Sequence, residues 1–123
     1  MHTMLIVDDE PEILETTKWA FEMAGYKVQT AASAEEALPQ ARDGKPDVML
    51  IDYKLPHMNG LELLKAVRPT IPDTITFMIT GLTHQTENLE EESRQLGAGF
   101  LQKPLQLESV MKLVKEKLRA LEG

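Results

Sequence analysis

Short apolar segments typical of β-strands alternate along this chain with segments of helical periodicity. Strands that alternate with helices form a parallel sheet, because right-handed crossovers place the helices on its two faces. The segments are nearly all apolar, as strands covered on both faces are. The sequence therefore predicts an α/β fold, a doubly wound parallel sheet with strand order 2-1-3-4-5. The predicted strands are MLIV at 4–7, KVQTA at 27–31, VMLI at 48–51, TFMIT at 76–80 and GFLQ at 99–102.

A helix is predicted after each strand. Pro11 suits the first turn of the first helix, and the second helix begins at Ser33, where Ser33 and Glu36 make a capping box. Pro39 is expected to kink or shorten the second helix, and the third is expected to end before Pro69. The predicted apolar faces comprise Ile13, Thr17, Ala20, Phe21 and Ala24; Leu61, Leu64, Lys65 and Val67; Leu89 and Leu96; and Val110, Leu113, Val114, Leu118 and Leu121.

Composition narrows the class of protein. The chain has 123 residues, 42% of them hydrophobic, which is enough for one globular domain over residues 1–123. It has no cysteine, no apolar run long enough to span a bilayer and no signal-peptide pattern in MHTMLIVDDE. The net charge of −7 disfavours direct nucleic-acid binding. We expect a soluble, cytoplasmic protein without membrane insertion.

Polar side chains stand where the predicted strands end. Because the carboxyl ends of neighbouring parallel strands meet at one edge of a sheet, these side chains are expected to converge on one cleft. Three carboxylates brought together repel one another unless a cation offsets their charge. Oxygen ligands without nearby His or Cys favour Mg²⁺, with Mn²⁺ as a substitute. The residues are Asp8 and Asp9 after strand one, Asp52 after strand three, Thr80 at the end of strand four and Lys103 after strand five.

This set of residues predicts phosphoryl chemistry. A carboxylate can attack a phosphoryl group when a metal and cationic groups neutralise the charge on the phosphoryl oxygens. Asp52 is placed to be that nucleophile, while Thr80 offers a hydroxyl and Lys103 an ammonium to the phosphoryl oxygens. Asp9 would hold the metal directly and Asp8 through water.

Four motifs in order resemble bacterial response-regulator receiver domains, which have a flavodoxin-like fold. They are DDE at 8–10, DYKLPHMNG at 52–60, TG at 80–81 and FLQKP at 100–104, and the resemblance spans nearly the whole chain. It implies that a histidine kinase or a histidine phosphotransfer protein phosphorylates Asp52. It also implies that Asp9, Asp52 and the backbone carbonyl of Lys54 bind Mg²⁺.

The same resemblance assigns the remaining site residues. Thr80 and Phe100 resemble the switch pair, and Gly81 and Lys103 join Thr80 around the phosphoryl group, although Gly81 stands where alanine is more usual. The bond from Lys103 to Pro104 is expected to be cis. The expected output surface consists of helix four, strand five and helix five. It could bind a downstream protein, whose identity is unknown, or a second copy of the chain in a phosphorylation-dependent dimer.

Trp19 faces away from the apolar stripe of the first helix. It is interpreted either as part of the surface that docks the kinase or phosphotransfer protein, or as a half-buried surface ring. The three histidines show no ligand spacing and are interpreted as surface or loop residues, with His84 the one placed to approach the cleft.

Other readings of the sequence remain beside this one. Asp8 and Asp9 could cap the first helix, since acids favour helix N-termini. A phosphatase of the haloacid dehalogenase type is excluded, because it needs an acid two residues after its nucleophile, where this chain has Lys54. A flavin carrier is disfavoured, because its phosphate loop would be rich in Ser, Thr and Gly, where this chain has the acidic DDEPE. A phosphorylation-independent interaction module and a receiver cut from a longer regulator or hybrid kinase stay open beside a stand-alone regulator. No turnover of an outside substrate is expected.

Overall fold

The computed structural model describes residues 1–81 and 86–122; His84 lies outside these residues. The strands are β1 (Thr3–Val7), β2 (Lys27–Ala31), β3 (Val48–Asp52), β4 (Ile75–Thr80) and β5 (Ala98–Gln102). The helices are α1 (Pro11–Met23), α2 (Ala34–Gly44), α3 (Gly60–Val67), α4 (Thr86–Gln95) and α5 (Leu107–Glu122), with a 3₁₀ turn at Arg68–Thr70.

All five strands run parallel in the order β2-β1-β3-β4-β5. This confirms the predicted sheet, and each predicted strand agrees with the observed one to within a residue or so at either end. Strand β3 lies in the middle and is buried along its whole length, which is why its sequence is a continuous apolar run rather than an alternating one.

The two faces of the sheet carry separate hydrophobic cores. The first core packs α2, α3 and α4 against side chains such as Leu5, Met49 and Met78. The second packs α1 and α5 against the alternate side chains, such as Ile6 and Leu50. Because successive side chains of a strand point to opposite faces, one apolar strand supplies both cores.

Two residues predicted to lie on the buried face of helix α5 are exposed. Leu113 and Leu121, placed on its apolar face, are 38% and 64% exposed. The buried stripe consists of Val110, Val114 and Leu118, which recur at i, i+4 and i+8 and so follow the helical period. Leu113 lies to one side of this stripe, whereas Leu121 points in the same direction as the stripe but lies at the end of the helix.

Helix α2 continues through Pro39 to Gly44, so the proline does not shorten it. Its start agrees in part with the predicted capping box: Glu36 N–H donates to Ser33 Oγ at 3.1 Å, while the Glu36 carboxylate accepts from Ala32 N–H at 3.4 Å rather than from Ser33. Helix α3 ends at Val67, as predicted.

Helix α3 begins with a capping box that the motif reading overlooked. Glu62 N–H donates to Asn59 Oδ1 at 2.8 Å, and Asn59 N–H donates to Glu62 Oε1 at 3.0 Å. The signal was present as N-x-x-E before an apolar run. The box fixes the end of the loop that leads away from β3.

Within the described part of the chain, no helix combines the length and the hydropathy needed to cross a bilayer.

Candidate functional site

The carboxyl ends of four strands meet at one edge of the sheet. Val7 pairs with Ile51 between β1 and β3, Asp52 pairs with Ile79 between β3 and β4, and Thr80 pairs with Gln102 between β4 and β5. The residues after each strand therefore emerge side by side. All the predicted site residues at this edge belong to these strands or to the turns that follow them.

Lys103 is the centre of the site. Its Nζ lies 3.3 Å from Asp52 Oδ2, 3.6 Å from Asp8 Oδ2 and 3.4 Å from Glu10 Oε1. The Asp52 and Asp8 side chains are only 5% and 6% exposed, whereas that of Glu10 is 60% exposed. One ammonium thus bridges two buried carboxylates and one at the surface.

Glu10 is the third acid of the DDE motif, and the sequence alone predicts no role for it. The structure groups it with Asp8 and Asp9, because one ligand atom from each lies within 4.8 Å of the others. We call these three residues the acid cluster. Asp52 is linked to the acid cluster through Lys103, with which both Asp8 and Glu10 form ion pairs.

Burial makes the negative charge at this edge unfavourable. It raises the pKa of Asp52 from 3.8 to about 6, an effect that the nearby Asp8 carboxylate strengthens and Lys103 opposes. Burial likewise raises the pKa of Asp8, although a hydrogen bond from Glu10 N–H works against it. Burial alone would lower the pKa of Lys103, but the neighbouring Asp52 and Asp8 carboxylates raise it above its usual value. The carboxylates therefore carry more negative charge than Lys103 offsets.

The donor set fits a hard divalent cation. The acid cluster and Asp52 supply carboxylate oxygens, the ligands that Mg²⁺ and Mn²⁺ prefer. Among the described residues no group donates a hydrogen bond to the Lys54 carbonyl, so this oxygen is available as a further ligand. A divalent cation held by these oxygens would offset the negative charge that Lys103 leaves uncompensated.

The backbone after β3 is held close to Asp52. Tyr53 N–H donates to Ile79 O at 2.8 Å, and Gly60 N–H donates to Tyr53 O at 2.8 Å. A Cβ atom on Gly60 would lie 2.5 Å from the Asp52 carbonyl oxygen and 2.9 Å from Ile51 Cγ2. Only glycine permits this approach, which closes the loop over the end of the strand.

Comparison with known proteins identifies the fold and the family. The sequence matches the response regulator receiver domain over residues 4–115. The chain belongs to this family.

Curated relatives agree with this assignment. The receiver is 36% identical over 118 residues to the alkaline phosphatase synthesis transcriptional regulatory protein PhoP of Bacillus subtilis, covering 94% of this chain and 48% of PhoP. It is 32% identical over 120 residues to the probable transcriptional regulatory protein TcrX of Mycobacterium tuberculosis, covering 95% of this chain and 50% of TcrX. The chain therefore spans about half the length of these relatives.

Solved structures show the same fold. A CheY-like receiver domain protein from Methanospirillum hungatei superposes with a TM-score of 0.91 at 34% identity, covering 99% of this chain and 97% of that one. The response regulator TrrA from Thermotoga maritima, solved in complex with Mg²⁺ and BeF, gives a TM-score of 0.83 at 29% identity, covering 95% and 99%.

The remaining predicted residues take defined places in the receiver. Thr80 is buried and its hydroxyl donates to Gly81 O at 3.1 Å, so it would have to leave this bond to reach a phosphoryl oxygen. Phe100 on β5 pairs with Met78 and is partly buried against the first core. The Lys103–Pro104 bond is cis, as predicted, and Lys103 N–H donates to Thr80 O at 2.8 Å.

Trp19 does not belong to the cleft. It is 65% exposed on α1, and Met23, one turn further on, is 71% exposed. The exposure predicted for Trp19 is confirmed. Two large apolar side chains at i and i+4 form a continuous exposed strip on one helix.

Proposed function

We propose that Asp52 accepts a phosphoryl group from a histidine kinase or a histidine phosphotransfer protein while Mg²⁺ is bound beside it. The observation that carries this proposal is the buried Asp52 carboxylate with Lys103 Nζ at 3.3 Å and the acid cluster around the same lysine. Burial and a neighbouring acid raise the pKa of Asp52, so its ionised form is unfavourable without further positive charge. A dication and a phosphoryl group together complete such a site.

The transfer step can be written with the residues at hand. A carboxylate oxygen of Asp52 attacks phosphorus and a P–O bond forms, while the P–N bond of the phosphohistidine breaks and its electron pair returns to the imidazole. Lys103 donates from its ammonium, and Thr80 from its hydroxyl, to the phosphoryl oxygens. Gly81 has no side chain to occupy the space beside them. Water later hydrolyses the acyl phosphate, so the receiver turns over no outside substrate.

Four groups would hold the metal: the carboxylates of Asp8, Asp9 and Asp52, with Asp8 acting through water, and the carbonyl of Lys54. Bound there, Mg²⁺ or Mn²⁺ neutralises charge that develops on the phosphoryl oxygens. The related TrrA was solved in complex with Mg²⁺ and BeF, which supports binding of a divalent metal by this receiver.

Thr80 and Phe100 form the switch in this proposal. They lie on neighbouring strands and on the same face of the sheet, since Thr80 pairs with Gln102 and Met78 pairs with Phe100. When the Thr80 hydroxyl turns toward the phosphoryl group, it vacates space toward which the Phe100 ring can move. This shift alters α4, β5 and α5, which form the output surface for a downstream protein or for a phosphorylation-dependent dimer.

The phosphodonor protein docks beside α1. An open groove of about 630 Å³ between α1 and the Lys103–Pro104 turn is lined by Thr16, Leu105 and other side chains, and it leads to the site. Trp19 lies on the same helix, three residues after Thr16. Since large aromatic side chains supply much of the binding energy at interfaces, Trp19 is assigned to the docking surface.

The site of action follows from this chemistry. Histidine kinases and phosphotransfer proteins present their phosphohistidine to receivers in the cytoplasm, and we assign the receiver to that compartment. The relatives PhoP and TcrX are named as transcriptional regulators. We therefore propose that the whole protein acts through DNA-binding partners or segments. The receiver itself, with its charge of −7, makes no direct contact with nucleic acid.

Incubation with Mg²⁺ and acetyl phosphate, followed by intact mass spectrometry, tests the proposal. The wild type should gain the mass of one phosphoryl group, and Asp52→Asn should gain none. Asp43→Asn, which removes an exposed carboxylate on α2, is the matched control and should behave as wild type. A wild type that never gains this mass would instead be a phosphorylation-independent interaction module.

A further inference from the structure

Glu10 immediately precedes α1, yet its side chain does not cap that helix. No side-chain hydrogen bond is made to the first turn of α1 from this position. Instead Glu10 Oε1 lies 3.4 Å from Lys103 Nζ, while Glu10 N–H donates to Asp8 Oδ1 at 2.9 Å. Acids before a helix usually serve its N-terminus, so a side chain directed to a lysine in the phosphorylation site requires another explanation.

The three carboxylates around Lys103 differ in exposure rather than in distance. Lys103 Nζ lies 3.3 Å from Asp52, 3.4 Å from Glu10 and 3.6 Å from Asp8, and an ammonium has three protons to share among them. Asp52 and Asp8 are buried, and Glu10 is at the surface. Glu10 therefore gives the ammonium a third partner at the surface, in addition to the two buried carboxylates.

We propose that Glu10 is a positioning residue for the cation site, which takes a share of the Lys103 ammonium that Asp52 and Asp8 would otherwise hold alone. This inference rests on the proposed function. Without the Glu10 carboxylate, the Lys103 ammonium settles on the two buried carboxylates that a dication has to use. Lysine and metal then compete for the same oxygens, and metal binding weakens by more than the loss of one charge explains.

A double-mutant cycle on Mg²⁺ affinity separates these two effects. Calorimetric titration with Mg²⁺ of the unphosphorylated protein should show about tenfold weaker binding for Glu10→Gln, of which about threefold is the loss of a nearby charge screened by water. When Lys103 is replaced by Met, the same Glu10→Gln change should weaken binding only about threefold, because no ammonium remains to compete. Repeating the cycle with Lys103→Gln ensures that one poorly folded background does not decide the result.

The matched control is Glu12→Gln. Glu12 is the acidic residue in the first turn of the same helix, so this variant makes the same charge change and alters the same helix dipole. Its Mg²⁺ affinity should stay within about twofold of wild type. Equal effects of Glu12→Gln and Glu10→Gln would overturn the inference.

The remaining outcomes also decide the matter. An effect of Glu10→Gln that is the same with and without Lys103 would show that Glu10 acts only as a charge, which contradicts a positioning role. A wild type that binds no Mg²⁺ would remove both this inference and the proposed function. A wild type that binds Mg²⁺ and is phosphorylated on Asp52, with an unchanged Glu10→Gln variant, would remove the inference alone.

Discussion

Replacing Asp52 with asparagine should make the metal-free protein more stable. The carboxylate is buried at the end of β3, and its pKa is raised from 3.8 to about 6, first by burial and then by the Asp8 carboxylate. This shift already includes the opposing effect of Lys103. Asparagine has nearly the same shape and no charge, so it removes the unfavourable ionisation and keeps the packing.

The magnitude follows from the pKa. A shift of one unit corresponds to about 1.4 kcal/mol, so ionised Asp52 lowers the free energy of unfolding by up to about 3 kcal/mol above pH 6. Because the native state binds more protons than the unfolded state between about pH 4 and pH 6, this part of the stability is present at low pH and is lost as the pH rises through about 6. Unpaired polar atoms of the asparagine offset part of the gain, so we expect about 1–3 kcal/mol.

Urea unfolding followed by far-UV circular dichroism measures this effect in EDTA at about pH 8 and again at about pH 4. At the higher pH the free energy of unfolding of Asp52→Asn should exceed that of the wild type. At the lower pH the two free energies should be nearly equal. Saturating Mg²⁺ should stabilise the wild type more than the variant, by about 2.7 kcal/mol at a hundredfold excess over the dissociation constant if the variant binds no metal. A variant that is no more stable than the wild type at high pH without metal would refute the reasoning.

Three further substitutions test other parts of the structure. Gly60→Ala places a methyl group 2.5 Å from the Asp52 carbonyl oxygen and should destabilise the fold by about 1–3 kcal/mol in urea unfolding, whereas Gly44→Ala, whose Cβ has no neighbour within 4 Å, should not. Arg68→Met removes hydrogen bonds to Leu96 O at 2.8 Å and Thr74 O at 2.7 Å and should lower stability by about 2–4 kcal/mol, whereas Arg42→Met at an exposed ion pair should change it by less than about 1 kcal/mol. Trp19→Ala should slow phosphotransfer from a cognate kinase by about tenfold or more and leave phosphorylation by acetyl phosphate unchanged. Exposed Leu121→Ala on α5 is its control, and equal transfer rates in both variants would remove Trp19 from the docking surface.

The sheet could be predicted from the sequence because each strand carries its own local signal. Short apolar runs fixed the strands, and the alternation with helices fixed the parallel topology. The convergence of Asp8, Asp52, Thr80 and Lys103 followed from one rule, that neighbouring parallel strands end at the same edge.

Other features depend on tertiary contacts that a sequence pattern does not specify. Leu113 and Leu121 have the same chemistry as buried Leu118, and only the position of α5 against the sheet decides which of them is covered. The ion pair between Glu10 and Lys103 joins residues 93 positions apart. The motif reading could list both residues, but the direction of the Glu10 side chain required the structure.

Phosphorylation of the wild type with and without Mg²⁺, with the modified residue located by peptide mass spectrometry, tests the central claim most directly. We expect one phosphoryl group on Asp52 when Mg²⁺ and acetyl phosphate are present together, and none when EDTA replaces the metal. A phosphoryl group on another residue, or equal modification of Asp52 in EDTA, would contradict the account.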